Sequence, residues 1–122
     1  MSELGDVTVL APPSGAAGVR TLRLAGEFDL SNSHELEQAL AAAIDAGGRD
    51  LIVDLSEVSF LDGTALNTLV LARIRCARRN GHLVLVRPAP QTWRVFVLTG
   101  MSRAFATLTF ESLPAAERYL LG

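Results

Sequence analysis

The sequence contains no lysine, and all eleven of its basic residues are arginine. That absence removes every chemistry that needs a side-chain primary amine: Schiff-base catalysis, the lysine of phosphate-binding loops and the lysine of protein kinases. Cysteine is scarce as well. Cys76 stands alone, so no internal disulfide can form and nothing points to an oxidising compartment. No apolar stretch is long enough to span a membrane as a helix, and the central run Leu69-Val70-Leu71-Ala72 is cut by Arg73. The first residues, Met1 to Asp6, are acidic and lack the basic and apolar regions of a signal peptide. Together these absences predict a cytoplasmic chain with no membrane insertion. A net charge of −2 argues against nonspecific binding of nucleic acid or of an anionic membrane. The one basic cluster is Arg73, Arg75, Arg78 and Arg79. It falls near the end of a predicted helix, where positive charge suits the macrodipole, and reads as a solvated face.

What is present is an apolar, moderately charged chain of 122 residues, 49% hydrophobic and 20% charged. That is enough for one domain, spanning residues 1–122, to bury its own core without metals or bridges. Val7–Leu10 and Val19–Leu24 read as two strands, the second with Leu22 and Leu24 alternating with polar residues. Pro12 to Gly18 between them reads as a loose hairpin loop. Helices are predicted to start near Asn32, Thr64, Gln91 and Pro114. Asn32 with Glu35 has the spacing of a capping box, and Gly47-Gly48 ends the first helix. Leu51-Ile52-Val53, ending at Asp54, reads as a strand covered on both faces, with Ser56–Leu61 as a loop after it. Leu66, Leu69, Val70, Ile74 and Ala77 share an arc of the second long helix, which Asn80-Gly81 stops. Leu83–Val86 and Thr107–Phe110 supply the remaining strands.

The predicted order is therefore ββαβαβαβα. It implies an α/β fold with a five-stranded, mostly parallel sheet and helices mainly on one face. The predicted core is Leu24, Leu40, Ile44, Ile52, Val53, Leu55, Leu66, Leu69, Val70, Leu85 and Phe96.

Enzymatic constellations are missing. His34 and His82 read as surface histidines, and Cys76 as a small buried or half-buried apolar residue. No GxSxG, HExxH, CxxC or phosphate-binding glycine loop occurs. Asp54 stands at a strand end, as a phosphate-accepting aspartate would. Receiver domains, however, pair it with further acids and a lysine that this chain lacks. The chain is expected to be no enzyme and to hold no cofactor or metal. What remains is Asp62-Gly63-Thr64, a turn leading into a helix. There Thr64 reads as a helix cap, and the helix N-terminus tolerates a phosphate without indicating one.

Four blocks in series resemble the STAS domains of anti-sigma-factor antagonists. They are Leu24-Ala25-Gly26-Glu27-Phe28-Asp29, Leu51-Ile52-Val53-Asp54-Leu55-Ser56, Phe60-Leu61-Asp62-Gly63-Thr64-Ala65-Leu66 and Gly81-His82-Leu83-Val84-Leu85-Val86, with Val97–Met101 as a weaker fifth. The resemblance runs from about residue 7 to about residue 121. It implies partner switching: the domain binds an anti-sigma factor, a serine kinase with a histidine-kinase-like ATP fold, and so frees a sigma factor. The kinase modifies a hydroxyl residue directly after the aspartate of the third block, and a phosphatase reverses this. Here that position is Gly63, which carries no hydroxyl, and Thr64 is the candidate phosphoacceptor that remains. The partner-binding surface implied by the resemblance and by the carboxyl ends of the strands is Asp29, Ser31, Asp62, Gly63, Thr64 and Asn67. The competing reading is a STAS module of another assembly, such as a lipid-trafficking complex, a transporter or a stress-signalling scaffold.

Overall fold

Among the described residues five strands lie side by side in the order in which the chain makes them. The computed structural model describes residues 5–10, 18–46 and 49–122. The strands are β1 (Asp6–Leu10), β2 (Val19–Phe28), β3 (Asp50–Leu61), β4 (Leu83–Val86) and β5 (Thr109–Phe110). β1 pairs antiparallel with β2, and every later pair is parallel, as the alternation of strands and helices implies. The expected hairpin loop falls largely, and Gly47-Gly48 wholly, outside the described residues.

The helices are α1 (Ser33–Asp45), α2 (Gly63–Arg78), α3 (Pro90–Leu98), α4 (Ser102–Phe105) and α5 (Leu113–Leu121). The short α4, followed by a 3-10 turn over Ala106–Leu108, is an addition to the predicted order. It shortens the last strand to Thr109 and Phe110. One face of the sheet presents Leu22, Leu24, Val53, Leu55 and Leu85. These residues pack with Leu36 and Leu40 of α1, Leu66 and Leu69 of α2, Phe96 of α3 and Phe105 of α4. The other face sets Val19, Ile52, Val84 and Val86 against Ala116 of α5. Among the described residues four helices thus share one face, and the last crosses to the other.

Three expectations need correction. First, Ser56–Leu61 is no loop, because β3 continues to Leu61 beside β2. The pairing is kept by shifts of register between Arg23 and Ala25 and between Gly26 and Glu27, with Gly26 at φ +89°. At both shifts the extra residue lies on β3, and Gly26 of β2, at the second of them, takes a positive φ that glycine alone adopts cheaply. Second, Asp54 lies in mid-strand, nearly buried. It sits opposite Arg23 and meets the Arg23 guanidinium at 3.3 Å, so it is a structural ion-pair member.

Third, the buried arc of α2 is Ala65, Leu66, Leu69, Ala72 and Cys76. Val70 is half-buried and packs at the edge of the core, while Ile74 and Ala77 are exposed. Small side chains face inward here because α2 is packed against α1, β3 and β4 together. The other predicted core residues are buried. At the end of α2, Asn80 takes a left-handed φ of +60°, and the Gly81 amide donates to the Cys76 carbonyl at 2.8 Å. Glycine is required at 81, because a Cβ there would collide with the Arg49 carbonyl.

The arginine cluster does more than face solvent. Arg75 pairs with Asp45 at 3.0 Å, and Arg79 donates to the Ile44 carbonyl at 2.6 Å, so both clasp the end of α1. Arg73 lies over the Phe105 ring at 5.9 Å.

Candidate functional site

β2 and β3 end together. Phe28 is the register partner of Leu61, and the Asp62 amide donates to the Phe28 carbonyl at 3.1 Å. The two chains therefore leave the sheet side by side, and each turns at an aspartate into a helix. Asp62 caps α2: its carboxylate accepts from the Ala65 amide at 2.9 Å, and its carbonyl accepts from the Leu66 amide. Thr64 does not serve as the cap; it stands at the second position of the helix. The Thr64 carbonyl accepts from the Thr68 hydroxyl at 3.1 Å, and its own hydroxyl makes no hydrogen bond among the described residues.

The other turn is built differently from the expected capping box. Asn32 does not cap α1 with its side chain. Instead a 3-10 turn, Leu30–Asn32, precedes α1 and Asp29 caps it. The Asp29 carboxylate accepts from the Ser31 amide at 2.8 Å and from the Ser31 hydroxyl at 2.5 Å. The buried Asn32 accepts from the Asp29 amide and donates to the Glu27 carbonyl, both at 2.9 Å. The Ser31 hydroxyl and amide hold the Asp29 carboxyl below the usual carboxylate range, because their bonds favour the ionised form.

Of the six residues named from sequence, Ser31, Gly63, Thr64 and Asn67 are exposed, and Asp29 and Asp62 are half-exposed. Asp29 and Asp62 stand at the paired strand ends, and the other four lie within two turns of them. Gly63 carries no backbone constraint: its φ is ordinary, and a Cβ there would meet open space.

Sequence reasoning passed over Leu30, which is 74% exposed between Asp29 and Ser31. Its signal was available, since it is the one apolar residue from Asp29 to Glu35. A separate open groove at the ends of β4 and β5, lined by Arg87, Trp93, Phe110 and Glu111 among others, contains none of the six. His34 lies 3.7 Å from the Glu37 carboxylate, and His82 flanks Asp50 at 3.4 Å. Among the described residues no three His, Cys, Asp or Glu gather as a metal site would require. Among the same residues no helix is long and apolar enough to cross a membrane.

The fold and the corner define a class: a small α/β module whose exposed helix starts carry acidic and polar groups at the carboxyl edge of the sheet. The STAS domain model matches residues 14–116, and the chain belongs to that family. The anti-sigma-B factor antagonist of Listeria monocytogenes is 34% identical over 79 residues, covering 65% of this chain and 69% of that protein. The anti-sigma-B factor antagonist of Staphylococcus aureus is 29% identical over 80 residues, covering 66% and 74%. Among solved structures, an anti-sigma factor antagonist from Mycobacterium paratuberculosis superposes with a TM-score of 0.78 at 27% identity, covering 96% of each chain.

Proposed function

We propose that this chain is an anti-sigma-factor antagonist: it binds an anti-sigma factor and thereby frees a sigma factor for transcription. The observation that carries the reading is the Asp62–Phe28 backbone bond, which fuses two capped helix starts into one accessible corner. Names shared by relatives in separate genera agree with it. The binding surface is Asp29, Ser31, Asp62, Gly63, Thr64 and Asn67. The partner is an anti-sigma factor of the serine-kinase type, and a phosphatase belongs to the same circuit where the domain is modified.

Regulation at this corner has two forms. Gly63 offers no acceptor, so the first form is binding without a phosphorylation switch. A specific observation favours a second form: the Thr64 hydroxyl is exposed and has no partner among the described residues, because Asp62 provides the cap. A phosphate there would add about −1.5 to −2 charge to the surface and weaken a complex. Incubation with the cognate kinase and ATP, followed by mass spectrometry, separates the two. Modification that disappears in Thr64→Ala establishes the second form, and an unmodified chain that stays bound in ATP establishes the first.

The function itself is tested with purified sigma factor held by its anti-sigma factor. Added chain should release the sigma factor, and Asp62→Arg should not. Failure of the parent chain to displace sigma from any anti-sigma factor of its own genome overturns the proposal.

A further inference from the structure

Single exposed apolar side chains are ordinary on protein surfaces. Leu30 is distinguished by how it is held. It is 74% exposed, yet its neighbours on both sides are fixed by side-chain hydrogen bonds. Asp29 and Ser31 are joined by two bonds, and Asn32 is buried with bonds to Asp29 and Glu27. The Ser33 hydroxyl donates to the carbonyl of Leu30 itself at 3.2 Å. A backbone fixed in this way has little freedom left to lose when Leu30 is covered, which is the condition for an effective anchor.

Apart from His34, the charged residues at these strand ends and helix starts are acidic. Glu27, Asp29, Glu35 and Asp62 lie on the ends of β2 and β3 and at the starts of the helices that follow. Between Arg23 and Arg73 the only arginine or lysine is Arg49, which lies beside Gly81 at the opposite end of the sheet. A surface of this kind complements a basic one.

We propose that Leu30 is the apolar anchor of the interaction surface, received by a partner pocket that is apolar at its centre and rimmed with arginine or lysine. The inference rests on the reading of this corner as the binding surface. Anchor and rim act on different rates. The rim steers encounter, so the association rate falls as salt screens it, while the anchor sets how long the complex lasts.

The test measures association and dissociation rates of the chain with its purified anti-sigma factor, from about 50 to about 300 mM salt. Leu30→Ala should raise the dissociation rate about tenfold or more and leave the association rate within about twofold. Leu30→Met should stay within about threefold of the parent, because it keeps the volume. The association rate of the parent should fall as salt rises. Equal melting temperatures for parent and variants would show that the turn is intact. If Asp62→Arg abolishes binding and Leu30→Ala does not change it, the anchor is overturned and the surface stands. If neither variant changes binding, both the surface and the anchor are overturned. An association rate independent of salt overturns the basic rim.

Discussion

Asp62 and Phe28 are joined by a single backbone hydrogen bond of 3.1 Å, and it brings two helix starts from distant sequence into one corner. The bond follows from the parallel register of β2 and β3, in which Phe28 faces Leu61. Asp62 therefore has two roles, one in the helix cap and one on the accessible surface, and substitution can separate them.

Asparagine keeps a capping oxygen and loses the charge. Asp62→Asn should melt close to the parent while binding the anti-sigma factor more weakly, with most of the loss in association rate. Asp62→Ala removes the cap and should cost about 1 kcal/mol of stability. Denaturant titration beside binding kinetics checks both, and equal losses of stability for the two variants would refute the capping role.

The phase of α2 is tested by a pair of truncations. Leu69 is fully buried and Ile74 is 38% exposed. Leu69→Ala should lose about 2–5 kcal/mol of unfolding free energy. Ile74→Ala should lose about 1 kcal/mol or less. A loss at Ile74 as large as that at Leu69 would restore the arc expected from sequence, which contained both residues.

Two glycines have opposite tolerances. A side chain at Gly63 meets open space, whereas one at Gly81 meets the Arg49 backbone. Gly63→Ser should change stability by about 0.5 kcal/mol or less. It would also place a hydroxyl directly after Asp62, where the cognate kinase should modify it. Gly81→Ala should destabilise by about 1–3 kcal/mol, because the backbone must move. Thermal melts and mass spectrometry after treatment with kinase and ATP give the readouts.

The Asp29 carboxyl titrates below its unfolded value because of its two bonds to Ser31. A depressed folded value means that its contribution is fully present above the unfolded carboxylate pKa. The contribution is lost as pH falls through the folded one. In Ser31→Ala the hydroxyl bond is gone, so the Asp29 midpoint should rise toward the ordinary carboxylate range. Carboxyl carbon shifts followed by NMR would show it. An unchanged midpoint would mean that the Ser31 hydroxyl does not hold the charge.

Much of the architecture was legible because it rests on local chemistry. Alternating Leu22 and Leu24, the Asp-Gly turn before α2, Asn80-Gly81 after it and Pro114 in the first turn of α5 each constrain their own few residues. The corner was legible for the same reason, since Asp29 and Asp62 both sit where strands give way to helices. The short α4 and its 3-10 turn were not legible, because Gly100 marks only the end of α3, no glycine or proline follows within them, and they are held by burial of Phe105.

What the sequence determined by itself was the strand–helix order apart from α4, the family and the absence of lysine, and with that absence the exclusion of amine chemistry. Tertiary structure decided the rest. Ser56–Leu61 became strand because β2 offered it a pairing edge through two register shifts. Ala65, Ala72 and Cys76 turned inward because α1 and the sheet close tightly on α2, where nearly every face of the helix carries apolar residues and periodicity alone cannot choose between them. Asp62, and not Thr64, took the cap because the bond to Phe28 fixed where the strand ends and the helix begins. Such choices depend on partners far away in sequence, and backbone pairing and close packing act only once those partners have met.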